Sequence, residues 1–237
     1  MTTHATDPSL QSYARVAGAA YLLVIVLAML SMSVIDARLI VPGDSAATTS
    51  NILAHRFLFR LEIACVLAMY ASVVVLSLAL YVVLRSVDGN LALLALLLRS
   101  AEAILGAATV LLSFAVLALL DGAEQEPVFG AGAQSQSFVG LLLDVRMAGL
   151  DIVLVFVGLG GTIFCWLFFR SRYVPRALSA WGIFTYLSML FLALMSIIFP
   201  DHPALIENVL YALGALFELV FGSRLLVTGV RLAPGAV

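Results

Sequence analysis

The chain has no lysine, three histidines and two cysteines, and only 11% of its 237 residues are charged. Each scarcity closes off a class of chemistry. The basic residues are all arginine and lie scattered, so there is no basic stripe to follow a nucleic-acid backbone, and no nucleic-acid partner is expected. His4, His55 and His202 fall in terminal or loop segments, which argues against haem held between helices and against a buried zinc site. Neither a cofactor nor a metal is expected. Cys65 and Cys165 sit at different depths of their apolar runs and read as packing thiols rather than a bridge. No glycine-rich phosphate loop follows a strand, because no strand pattern exists. Ser72, Ser77, Ser113, Ser188 and Ser196 have no histidine at their depth and read as hydroxyls bonded to backbone carbonyls.

What the chain does have is apolar length. Hydrophobic residues make up 63% of it, against about 45–50% in soluble proteins. Six runs stand out: Tyr13–Ile35, Phe57–Leu84, Leu91–Leu120, Phe138–Phe169, Ser179–Phe199 and Leu205–Val230. Each meets or exceeds the roughly 20 residues that cross a bilayer core. The fold class expected is all-α, a six-helix transmembrane bundle forming a single domain over 1–237. Its outer faces would meet membrane lipids, and the oligomeric state is left open. The first run is longer than the apolar part of a signal peptide and does not start with basic residues, which points to an anchor that is kept.

Arginine placement sets the expected orientation. Arg15, Arg85, Arg170, Arg172, Arg176 and Arg231 fall on one side and Arg38 and Arg56 on the other, so both termini are expected in the cytoplasm. Val87-Asp88-Gly89-Asn90 reads as a tight cytoplasmic turn, and Pro175 separates the fourth span from the fifth. In the first outer loop, Pro42-Gly43-Asp44 before Ser45-Ala46-Ala47-Thr48 predicts a turn and then a short interfacial helix capped by Asp44. The second outer loop, Asp121–Ser137, is rich in glycine, glutamine and acid and reads as a mobile connector.

Several of these elements recur in order. Leu39-Ile40-Val41-Pro42-Gly43-Asp44, Asn51-Ile52-Leu53, Phe59-Arg60-Leu61, Leu80 to Arg85 leading to Arg99, and Arg170-Ser171 with Val174-Pro175-Arg176 resemble the bacterial family known as domain of unknown function 4386. Ala14 to Gly18 fits it too. The resemblance implies a bacterial multipass inner-membrane protein and carries no activity or catalytic residue with it. The chain has Asp144 and Arg146 where a histidine-containing stretch would be expected of a relative.

Charges inside the spans mark the candidate site: Glu62, Arg99, Glu102, Asp144, Arg146, Asp151 and Glu218. Each charge facing lipid at mid-membrane would cost on the order of 2.5–3.5 kcal/mol even on the mildest scale, so they should face inward. Helical spacing aligns Arg99 with Glu102, Gly106, Thr109 and Ser113. It aligns Asp144 with Asp151, Gly158 and Thr162, and Glu207 with Tyr211, Gly214 and Glu218. Arg146 points away from Asp144 and needs a partner from another helix. With Arg60 counted, five interior acids face three bases, and an acid without a partner takes up a proton or a cation.

The expectation is an acid-rich cavity between spans two, three, four and six that binds or transports a small or lipid-like molecule. Alternatives are a non-catalytic membrane or sensory accessory protein whose buried charges are structural, and an intramembrane enzyme using paired carboxylates. The likeness of Arg15-Val16-Ala17-Gly18 to Arg146-Met147-Ala148-Gly149 allows an inverted repeat.

Overall fold

The computed structural model describes residues 8–125, 133–199 and 204–231. His4, His202 and the centre of the second predicted loop lie outside them. Among the described residues there are helices and turns but no strands. The order is α1 (Pro8–Ala28), a π-helical stretch (Met29–Asp36), α2 (Ala37–Leu39), α3 (Ser45–Ala54), α4 (Arg56–Leu84), α5 (Gly89–Gln125), α6 (Ala133–Ser171), α7 (Arg176–Ile198) and α8 (Ala204–Thr228). Six of the helical runs are long and apolar enough to cross a membrane, and the chain is a membrane protein on that ground. Ile104, Leu111, Phe191 and Val227 are 65 to 73% exposed, an arrangement suited to lipid rather than water.

The helices outrun the apolar runs that announce them. α5 has 37 residues and so extends about 55 Å. The predicted Asp121–Ser137 loop shrinks accordingly, since α5 continues to Gln125 and α6 begins at Ala133. Nothing in their polar ends forbids helix, so the winding continues past the apolar boundary.

The short helix after the first span forms as expected. Val41 to Asp44 make a turn closed by the Asp44 amide donating to the Val41 carbonyl at 3.0 Å. Gly43 takes the left-handed φ of 76° that its third position requires. Asp44 Oδ1 accepts from the Ala47 amide at 2.8 Å, and Thr48 Oγ1 accepts from the Val41 amide at 2.9 Å. Asp44→Ala should therefore cost about 1 kcal/mol locally. Hydrogen exchange checks it: the Ala47 amide should lose protection, and unchanged exchange there would show that the cap contributes nothing.

Packing divides the chain into two compact units whose dividing points fall inside α1, α4, α5 and α6. The first comprises Met1–Ile25, Ala71–Ala103 and Asp151–Val237; the second comprises Val26–Tyr70 and Ile104–Leu150.

In the first unit, small residues let helix backbones approach. A Cβ on Gly18 of α1 would lie against the Leu226 amide and 2.6 Å from the Gly222 carbonyl oxygen, both in α8. Around that contact Phe221 meets Tyr21 and Phe168 edge-on, with centroids 5.6 and 5.2 Å apart, in the geometry aromatic quadrupoles favour. Gln11 exchanges two hydrogen bonds with the Val230 backbone, and the Arg231 amide donates to the Tyr173 carbonyl.

In the second unit, Ile52 of α3 joins Ile35, Leu39, Phe59, Val116 and Leu143 in one apolar core. Cys65 and Cys165 are buried free thiols.

Candidate functional site

Buried charge collects at one place in each unit. In the second unit the organiser is Arg146 of α6, 7% exposed. Its Nη2 donates to Glu62 Oε1 of α4 at 2.5 Å and to Asp36 Oδ2 at 3.3 Å, and its Nη1 donates to Ser113 Oγ of α5 at 3.2 Å. Ser31 Oγ also donates to Glu62 Oε1, at 3.2 Å. Ser31 and Asp36 are five residues apart, which an α-helix would place well around its circumference. The π-helical stretch, bonded i to i+5, brings that spacing onto one face, and such turns are frequent at functional sites. Glu62 Oε2 and Asp36 Oδ1 are buried with no hydrogen-bond partner among the described residues, which is costly in an apolar surrounding.

A cavity of about 280 Å³ opens beside this cluster, lined by Ser31, Asp36, Tyr70, Thr109 and Arg146 together with apolar groups such as Met32, Met69 and Met147. Two glycines make room for its polar walls. A Cβ on Gly106 would fall 2.5 Å from the Tyr70 hydroxyl, and one on Gly149 would fall 2.7 Å from Thr109 Cγ2.

In the first unit, Arg99 Nη1 lies 2.7 Å from Glu102 Oε2, with side chains 4% and 5% exposed. That contact is an ion pair without hydrogen-bond alignment, since Glu102 Oε2 has no hydrogen-bond partner among the described residues. Nearby, Tyr186 of α7 donates to Glu218 Oε1 of α8 at 2.9 Å, and the Tyr21 and Tyr186 hydroxyls are 3.2 Å apart. Gly160 and Gly161 of α6 admit the group: Cβ atoms there would meet Arg99 Cγ at 2.8 Å and the Tyr186 ring at 2.5 Å.

The candidates thus sort into two clusters. Glu62 and Arg146 meet, and Arg146 does find its partners on other helices. Arg99 and Glu102 pair on their own helix, and the stripe from Arg99 through Gly106 to Ser113 faces largely inward. Asp144 is exposed and belongs to neither cluster, so its predicted inward stripe with Asp151 fails at its first member. Asp151 is half-buried and engaged in an interaction. Arg60 is also exposed, 3.8 Å from Asp121. In place of five acids against three bases, Glu62 and Asp36 gather on Arg146 in the second unit, and Glu102 and Glu218 lie near Arg99 in the first, with Asp151 half-buried apart from that pair. The side chain of Glu207 lies outside the described residues.

Asp36 was missed because the apolar run ends at Ile35, which places it in a loop; only the π-helical winding turns it inward. Ser113 Oγ accepts from Arg146, whereas Ser77 and Ser188 bond carbonyls four residues back, those of Val73 and Phe184. The cavity is lined from the first span, α4, α5 and α6, and not from the sixth span as expected. Among the described residues no three His, Cys, Asp or Glu side chains group to hold a metal ion.

A family model described as domain of unknown function (DUF4386) matches residues 16–229. The chain belongs to the DUF4386 family. No curated protein and no solved structure matches it. The matched stretch of this DUF4386 chain runs from Val16, two residues before the Gly18 contact, to Gly229, and so takes in both charge clusters.

Proposed function

We propose that this DUF4386 chain is a bacterial inner-membrane protein, with both termini cytoplasmic, that binds or transports a small or lipid-like molecule in the cavity beside Arg146. The observation that carries the reading is the juxtaposition of about 280 Å³ of space with Asp36 and Arg146 in its wall. Asp36 and Arg146 bring an acid and a base to that wall, with Glu62 behind them outside the lining, and a molecule with an apolar body and a polar or charged head is the complementary shape. The arginine distribution supports the orientation.

Native mass spectra of protein released from membrane nanodiscs test this, comparing wild type with Asp36→Asn and Glu62→Gln. A discrete bound mass should appear on the wild type and be lost from both variants. Absence of any bound mass, or its retention in both variants, would move the assignment to the second reading. That reading is an accessory membrane protein whose buried charges fix the fold, and the Arg99–Glu102 pair, closed within one helix, favours it.

A further inference from the structure

Glu218 sits at the end of a hydrogen-bond chain in the first unit, and that chain can run in either direction. A phenol carries one hydrogen, so the state of Glu218 sets the order. When the carboxylate is ionised, Tyr186 donates to its Oε1 and Tyr21 donates to Tyr186. When Oε1 carries a proton, Glu218 donates to Tyr186 and Tyr186 donates to Tyr21. Both orders use the same oxygen positions, 2.9 and 3.2 Å apart, so the switch requires no heavy atom to move.

The charges around it favour use of both states. Tyr186 from α7 bonds Glu218, and Tyr21 from α1, Arg99 from α5 and Cys165 from α6 lie close enough to couple with its charge, as does Glu102 beside Arg99. One guanidinium therefore serves two carboxylates, and full ionisation leaves one negative charge uncancelled among Phe217, Phe221 and their neighbours. Glu102 holds Arg99 in contact at 2.7 Å, whereas the donor to Glu218 among the described residues is the Tyr186 phenol. A proton on Glu218 removes the surplus. We propose that Glu218 is a reversible intramembrane proton-binding site, with Tyr186 and Tyr21 as its hydrogen-bond wire. The site lies in the first unit and does not depend on the ligand cavity of the second.

Infrared difference spectroscopy of the full chain in nanodiscs, titrated from acid to alkaline pH, tests it. A protonated-carboxyl band should be present at neutral pH, vanish reversibly on alkalinisation, be lost in Glu218→Gln and remain in Glu102→Gln. Tyr186→Phe, which keeps the ring and removes the hydroxyl, should shift the band to higher frequency by deleting its hydrogen bond. This second variant reads the site even if Glu218→Gln does not fold. A band that survives Glu218→Gln, a band unmoved by Tyr186→Phe, or one that persists until the protein unfolds would overturn the proposal.

Discussion

Arg146→Ala should be among the most damaging single substitutions in the chain, at about 3–5 kcal/mol, the range found when one partner of a buried ion pair is removed. The guanidinium is the shared donor for Glu62, Asp36 and Ser113. Without it, Glu62, 1% exposed, and Asp36 are left as two like charges beside each other in an apolar core. The same reasoning fixes what should restore stability. Arg146→Ala with Glu62→Gln removes one of the stranded charges and should recover part of the loss. Arg146→Lys should recover little, because an ammonium cannot reach acceptors on both sides of a planar fork. Thermal unfolding in nanodiscs followed by circular dichroism reads the series. If the double variant is no more stable than Arg146→Ala, the charges are not coupled as the distances imply.

Gly18→Ala should cost about 1–3 kcal/mol, the range for forcing volume into a filled interior. The added methyl meets backbone atoms of α8, with the Gly222 oxygen at 2.6 Å and Leu226 Cα at 2.8 Å. Backbone cannot rotate aside as a side chain can, so α1 and α8 must separate. The separation would also draw Tyr21 away from Phe221, which it meets edge-on. Gly122→Ala is the control: among the described residues nothing lies within 4 Å of its would-be Cβ, and alanine is the better helix former by about 0.5–1 kcal/mol. A lower melting temperature for Gly18→Ala beside an unchanged or raised one for Gly122→Ala is the expected pattern. Equal melting temperatures would mean that α1 and α8 do not pack at this distance.

The two substitutions mark the line between what the sequence discloses and what it does not. Membrane helices are legible because apolar length is a one-dimensional property, and the Asp44 cap is legible because its chemistry is local. Arg146 could be seen to need a distant partner from helical spacing alone. That Asp36 joins Glu62 and Ser113 as a partner depends on a change of helical pitch between Met29 and Asp36, and no residue in Met-Leu-Ser-Met-Ser-Val-Ile-Asp announces that change. Asp144 fails for the converse reason. Spacing places residues on faces relative to one another, but only tertiary packing decides which face looks inward. The glycine pair at 160 and 161 was passed over because its role, admitting Arg99 and Tyr186, exists only once other helices are in place.

The wide-wound stretch has a consequence for how this segment tolerates insertion and deletion. Removing one residue between Met29 and Asp36 would shorten the helix by only about 1.5 Å, a change that a membrane span absorbs easily. If the segment then took ordinary pitch, a deletion between Ser31 and Asp36 would leave the two four residues apart, about 40° around the helix and still on one face. The extra residue that the wide winding absorbs is therefore dispensable in phase as well as in length: a lineage could trim it, still cross the membrane, and keep Ser31 and Asp36 on the face that meets Glu62 and Arg146.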